Sequence, residues 1–230
     1  MKEIGESADW ILKLHSDNPL KSHWLTTMLS VMEHCPDQIA TISSSWDDPL
    51  PDGKIVKGED DANGPPEIIP GGIAPVRSTL LKGCWWHNSG CALRMKAYKD
   101  IGDFEPDWKQ KGDWDWLLRC LYKGWSVMYI PRTLFYYSQV NKNLSTGNLQ
   151  KDIDIRESIR IFHKYLNIVS LADIAAFHSQ NLTFALRRFG RSVITLNLQR
   201  LGCTLRTFFL ILESFVKCLF YKTSVSRNRA

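Results

Sequence analysis

Two short acidic turns carry the residue types that chemistry needs. The first, His15-Ser16-Asp17-Asn18, lies between an apolar run, Trp10 to Leu14, and an amphipathic stretch that opens at Pro19. The second is Lys111-Gly112-Asp113-Trp114-Asp115-Trp116. It opens the series Trp114, Leu117, Leu118, Leu121, whose spacing is that of a helix, with Gly124 as its natural stop. A carboxylate just past a parallel strand sits where open α/β sheets bind ligands. Hard cations such as Mg²⁺ or Mn²⁺ take carboxylate oxygens and share their shell with substrate phosphates. A carboxylate on the first turn of a helix can act as a general base toward a hydroxyl nucleophile. Both turns also have a structural reading. Asp17 and Asn18 can cap a helix, and Asp113 and Asp115 favour the helix dipole. Asp113 and Asp115 are two residues apart and point in different directions, so only one of them could be the base.

Tryptophan is frequent around the second turn: Trp85, Trp86, Trp108, Trp114, Trp116 and Trp125. Indole faces stack on sugar rings, although core packing is the expectation for most of them. His87, His163 and His178 lack zinc spacing. No G-x-S-x-G, phosphate loop or dinucleotide fingerprint occurs.

The elements that must position these residues follow from periodicity. Trp10 to Leu14 reads as a buried strand. Asn18-Pro19 reads as an N-cap and first helical residue, followed by an apolar face of Leu20, Trp24, Met28 and Met32 with Leu25 and Leu29 beside it. Cys35-Pro36 stops that helix, and Ile39 to Ser45 is the next strand. Strand, acidic turn, helix, strand makes a βαβ unit with a parallel sheet. Asp47 to Pro75 reads as a long surface excursion. Cys91 to Arg94 is a strand running into a helix at Met95 to Asp100. Ser126 to Ile130 is a strand closed by Pro131, with one more at Leu134 to Tyr137. The pattern then turns helical: Ile153 to Leu166, Ser170 to Leu186, Val193 to Leu205 and Thr207 to Tyr221. The expected division is an α/β domain over 1–150 and a basic helical extension over 151–230.

Composition is globular, 44% hydrophobic and 23% charged over 230 residues, with a net charge of +5. The excess is local. From Asn181 onward the bases are Arg187, Arg188, Arg191, Arg200, Arg206, Lys217, Lys222, Arg227 and Arg229, against the single acid Glu213. Bases with apolar residues between them suit an anionic membrane surface. No zinc finger or aromatic RNA-binding signature accompanies them, so nucleic acid is not expected. Thr207 to Tyr221 is shorter than the ~20 apolar residues of a spanning helix and carries Glu213 and Lys217, so it reads as interfacial or packed. Six cysteines form no C-x-x-C pair, and Met1 to Ala8 has no apolar signal core. The expected compartment is a reducing cytoplasm, with peripheral contact at the membrane face.

The order of these features resembles the family 2 glycosyltransferases over roughly residues 8 to 147. The matching run is Trp10 to Leu14, His15-Ser16-Asp17-Asn18, Ser89 to Arg94, and Ile101-Gly102-Asp103-Phe104. It continues through Gly112-Asp113-Trp114-Asp115 with Leu118-Arg119, Tyr129-Ile130-Pro131, and Tyr136-Tyr137 through Asn143-Leu144-Ser145. The resemblance implies a partial GT-A fold, a mixed or parallel sheet flanked by helices. It implies inverting transfer from a nucleotide-sugar donor to a hydroxyl on a saccharide or lipid-linked acceptor, for cell-surface polysaccharide or glycolipid synthesis. It assigns Asp17, with His15, to a Mg²⁺ or Mn²⁺ ion and the donor diphosphate. It makes Asp113 the general base, with Asp115 as the runner-up, and places Trp114, Arg119 and Tyr137 against substrate. The sequence departs from the family pattern at His15, Asn18, Gly112, Ser138 and Val140. By the same resemblance the chain is a C-terminal portion lacking the nucleotide-binding half. Two other readings stay open: a non-catalytic remnant or partner-dependent subunit, and a basic membrane-surface module.

Overall fold

The computed structural model describes residues 8–50, 52–61, 63–137, 147–149 and 151–227. The chain is mixed α/β and forms two compact units. The first comprises Met1–Val76, Cys84–Glu105 and Asp113–Asn141, and the second Arg77–Gly83, Pro106–Gly112 and Lys142–Ala230.

Unit 1 is built on a six-stranded sheet of β1 (Trp10–Lys13), β2 (Ile39–Pro49), β3 (Ile55–Val56), β4 (Glu67–Ile69), β5 (Cys91–Arg94) and β6 (Ser126–Tyr136). The strand order is β1-β5-β2-β6-β4, with β3 pairing β2. β5 is antiparallel to both β1 and β2, while β2 and β6 are parallel and β4 is antiparallel to β6. The sheet is therefore mixed. β1 and β2 do run in the same direction, as a βαβ unit requires, but β5 is inserted between them.

β2 is central and almost wholly buried, which suits its Ile39-Ala40-Thr41-Ile42 start. Trp24 and Met28 of α1 (Trp24–Glu33) pack with Ile39, Ile42, Ala92, Met128, Ile130 and Leu134 into one hydrophobic core. A separate aromatic stack joins Trp86, Phe104 and Trp116, with Tyr98 of α3 (Met95–Ile101) beside it. Arg94, at the end of β5, donates to the carbonyls of Cys35, Pro36 and Ile39 and lies over the Trp10 ring. It ties the exit of α1 to two strands.

Three local expectations are overturned. Asn18-Pro19 does not start a helix, and α1 begins at Trp24. Pro19 O instead accepts from Tyr136 N, and Lys21 N donates to Leu134 O, so this segment pairs with the end of β6. Pro131 does not close a strand. β6 runs through it, because the register between β2 and β6 shifts between Ser44/Ile130 and Ser45/Thr133, and a proline without an N–H is tolerated in such an irregularity. The Asp47 to Pro75 stretch is not only a surface excursion: it holds the end of β2, β3, β4 and the start of α2 (Ile73–Lys82).

α4 (Gly112–Tyr122) follows its apolar spacing, with Asp113 and Asp115 in its first turn and Gly124 at φ +88° beyond its end. Asp115 is fully buried and receives Arg119 Nε at 3.0 Å. The same guanidinium donates to the carbonyls of Ile101 and Asp103. Removing one partner of such a pair strands a buried charge. Arg119→Ala is expected to lower stability by about 3 kcal/mol, read from urea unfolding. A loss under 1 kcal/mol would contradict this.

Unit 2 is helical, with α5 (Ile153–Lys164), α6 (Leu171–Ile194) and α7 (Leu198–Arg227). Two long helices stand where three shorter ones were expected after residue 170, because Gly190 and Gly202 are carried inside them. Ser170 and Asp173 form a capping box at the start of α6, and Asp173 also receives Arg77. Glu157 accepts three successive backbone N–H groups, those of Lys109, Gln110 and Lys111.

Within the helices, His178 Nδ1 lies 2.7 Å from Ile174 O, which can only accept, so Nδ1 carries the proton. Its Nε2 then accepts from the Ser214 hydroxyl at 2.8 Å, and His163 Nε2 donates to that same oxygen at 2.9 Å. Both histidines titrate below their ordinary value. Burial is the main cause for each, seconded by the charge of Lys217 for His163 and countered in part by the Ile174 bond for His178. Each is neutral in the native state and gains a proton more readily on unfolding. Their contribution is complete above about pH 6.5, the unfolded value, and is lost as pH falls through the lower native values. The melting temperature should fall between pH 7 and pH 5, and fall less in His163→Gln/His178→Gln. Equal slopes would contradict the assignment.

Candidate functional site

The three strands β1, β2 and β6 share a direction, so their C-terminal ends lie along one edge of the sheet, and β5 enters from that edge. Ligands of open α/β sheets bind there. The residues found at this edge are His15 and Asp17 after β1, Trp46 near the end of β2, Tyr137 after β6, and His87 in the loop leading into β5.

Backbone bonds set the arrangement. Gly90 N donates to Lys13 O, which holds the 87–90 loop against the exit of β1. Gly90 has φ +64°, and a Cβ there would come within 3.2 Å of Phe135 and 3.3 Å of Trp24 Nε1, whose N–H bonds the Gly90 carbonyl. Only glycine satisfies both demands. Tyr137 N donates to Asp47 O. Asp47 itself is fully buried, and its carboxylate takes Lys21 Nζ at 2.9 Å and the Gly58 N–H at 3.1 Å.

His87 is the hub. Its ring centroid lies 4.6 Å from Tyr137, 5.3 Å from Trp46, 5.4 Å from Phe135 and 6.4 Å from His15. The Ser89 N–H donates to His87 Nδ1 at 3.0 Å, so that nitrogen is an acceptor and Nε2 carries the proton. Burial, and then the positive field from His15, push its pKa down to about 4, so the ring is a neutral donor. That tautomer leaves neither nitrogen a ready metal ligand.

The carboxylates converge electrostatically on the same groups. The field of Asp113 reaches Lys13, His15 and Tyr137, and the field of Asp17 reaches His15, His87 and Tyr137. Burial lowers the Lys13 and His15 values; Asp113 opposes both shifts, and Asp17 opposes that of His15. Burial raises the Tyr137 phenol, and Asp113, Asp48 and Asp17 add to the rise. Asp113 lies in the first turn of α4 and accepts the Trp114 N–H at 2.8 Å.

The other expected site residues are buried or engaged. Asp115 and Arg119 are committed to each other and to the turn before α4. Trp114 is buried. Trp86 and Trp116 are core, as expected for most of the tryptophans, while Trp85 lines a cleft of about 450 Å³. Trp46 lines the same cleft, together with Asp48, Lys57, Glu59 and Tyr129. Trp46 therefore joins this cleft to the His87 cluster. Trp46 did not stand out in the sequence and His87 was weighed there only as a zinc ligand, since neither belongs to a local motif. Ser138, Val140 and Asn143 to Ser145 lie outside the described residues.

Among the described residues no group of three His, Cys, Asp or Glu side chains could hold a metal ion. The donors at the edge are the Asp17 carboxylate and the His15 imidazole. Such a pair suits a cation that takes most of its shell from a bound diphosphate and water. No protein-family model matches the sequence, and no curated protein matches it.

The tautomer of His87 can be checked directly. Imidazole ¹⁵N and ¹³C shifts should show His87 neutral, with the proton on Nε2, throughout pH 5.5–8. A titration near the ordinary histidine value, about 6.5, would contradict the geometry.

Proposed function

We propose that this chain belongs to an inverting glycosyltransferase of the GT-A type, resembling family 2, that moves a sugar from a nucleotide diphosphate donor to a hydroxyl acceptor. The observation that carries the reading is that the charges of Asp17 and Asp113 both act on His15 and Tyr137, at the ligand edge of the sheet. A transferase of this kind needs one carboxylate for the leaving diphosphate and one for the acceptor proton.

Asp113 is the base. The exposed N–H groups of the first helical turn favour its anion, which is the form that accepts a proton. It takes the proton of the acceptor hydroxyl as that oxygen attacks the anomeric carbon, while the bond to the diphosphate breaks on the opposite face and configuration inverts. Asp115 does not take this role, because it is buried against Arg119. Asp17, with His15, would hold a Mg²⁺ or Mn²⁺ ion shared with the diphosphate, which supplies Lewis-acid neutralisation of the leaving group. The neutral His87 N–H donates a hydrogen bond without adding charge. Trp46 and Trp85 both line the cleft, where an indole would stack on a pyranose ring. Helices α6 and α7 make peripheral contact with an anionic membrane at its cytoplasmic face, where a lipid-linked acceptor would be met. No helix among the described residues is long and apolar enough to cross a membrane.

A second reading, a partner-dependent or non-catalytic subunit, is favoured by one departure. Gly112 stands where the resemblance expects a glutamate, so the second acidic turn supplies Asp113 alone. The two readings separate in one assay. Nucleoside diphosphate release from a panel of UDP- and GDP-sugars with Mn²⁺ should be measurable for the chain, and Asp113→Asn should lower it by about 100-fold or more with the fold intact. Full release by Asp113→Asn would remove Asp113 as the base. No release by the wild type alone, but release on adding a partner, would establish the second reading.

A further inference from the structure

Unit 2 holds a second concavity, of about 780 Å³, lined by Lys109, Lys151, Arg156, Arg200 and Arg206 with no carboxylate among its lining residues. The acids nearest in sequence are engaged elsewhere. Asp152 and Asp154 both pair with Arg188, and Glu157 takes the backbone N–H groups of residues 109–111. Among the described residues none of the five cations forms an ion pair. Arg200 sits in the first turn of α7, where the helix dipole disfavours a cation, and its Nε is buried without a partner among the described residues. Five like charges around one hollow repel each other, and an anion held between them would relieve that repulsion and the dipole together.

The rim is apolar and exposed. Ile194, Leu196 and Leu198 are 82%, 83% and 78% exposed at the turn between α6 and α7, and Leu198 also lines the hollow. Leu196 has φ +51°, a position that glycine or asparagine would fill with less strain. A leucine that is both strained and exposed serves neither the backbone nor the core. From Leu198 the exposed stripe continues along one face of α7 through Leu205, Phe209, Leu212, Val216 and Phe220, while the opposite face buries Thr204, Thr207, Ile211, Ser214 and Cys218. A helix with a second, uncovered apolar face and bases at its border has the make-up of one that can lie in a membrane interface.

We infer that the hollow bounded by Lys109, Lys151, Arg156, Arg200 and Arg206 is a binding site for the phosphate headgroup of an anionic phospholipid, with Ile194, Leu196 and Leu198 seated in the acyl boundary beside it. This rests on the membrane-contact part of the reading above and is independent of sugar transfer. It extends that reading by naming a built headgroup site that includes residues outside the basic tail.

The test is flotation of the full chain with vesicles of phosphatidylcholine alone or with 30% phosphatidylglycerol. The chain should float at least tenfold better with the anionic vesicles. Arg200→Gln/Arg206→Gln should weaken that binding by about 25-fold, about fivefold for each cation. Arg187→Gln/Arg191→Gln, which removes the same charge outside the hollow, should weaken it by clearly less. Leu196→Gly should raise the melting temperature and still weaken vesicle binding, which excludes misfolding as the cause. Equal loss in the two double variants would overturn the headgroup site and leave a diffuse basic surface. Equal binding to both vesicle types would overturn it and leave apolar contact alone. Protection of the chain by inorganic pyrophosphate, lost in Arg200→Gln/Arg206→Gln and unaccompanied by vesicle preference, would assign the hollow to a soluble phosphate instead. A dimer in sedimentation with no vesicle binding would assign the α7 stripe to a second copy and overturn the inference.

Discussion

The ligand edge of the sheet depends on one buried carboxylate. Asp47 lies near the end of β2 with no exposure, and burial alone would raise its pKa. The hydrogen bond from Lys21, the Gly58 N–H and the charges of Lys21 and Lys57 outweigh burial and hold it below the usual carboxylate range. The partners come from two different parts of unit 1. Lys21 follows the acidic turn, and Gly58 and Lys57 follow β3. The Asp47 carbonyl receives the Tyr137 N–H from the end of β6. A buried ion pair contributes little net stability by itself, but an unpaired one is costly, so this arrangement acts mainly by excluding alternatives. With Lys21 fixed, the 19–21 segment pairs with the end of β6 and the His15-Ser16-Asp17 turn stays at the sheet edge.

From that constraint the site follows by register. Gly90 locks the loop before β5 onto Lys13, which places His87 among Trp46, Phe135 and Tyr137. Desolvation then fixes the chemistry of the hub: the ring is neutral, and the Ser89 N–H decides which nitrogen carries its proton. The fields of Asp17 and Asp113 overlap on His15 and Tyr137. The edge thus brings together two carboxylates, a neutral donor and the Trp46 indole.

What could be read from the sequence was local. The α4 helix, its first-turn acids and its glycine stop followed from spacing alone, as did β1 and β2. The start of α1 did not, because Asn18-Pro19 has the chemistry of a helix cap and is overridden by pairing with β6, more than a hundred residues away. The insertion of β5 between β1 and β2 is likewise a non-local choice that no periodicity announces. Pro131 reads as a strand end, and only the irregular register against β2 accommodates it within β6. The break between α6 and α7 falls at Leu196, a residue with no turn propensity, while Gly190 and Gly202 sit inside helices. The role of His87 and Trp46 at the edge was hidden for the same reason as β5: strand order brings them there. Asp115 and Arg119 were legible as charged groups but not as partners of one another.

The central claim is that the Asp17 edge and the Asp113 turn form one site for a metal-bound diphosphate, and paramagnetic relaxation tests it most directly. Mn²⁺ added with a nucleoside diphosphate should selectively broaden the side-chain resonances of His15, His87 and Tyr137, and Asp17→Asn should abolish that broadening with the fold retained. Broadening that is absent, uniform over all histidines, or unchanged in Asp17→Asn would contradict the account.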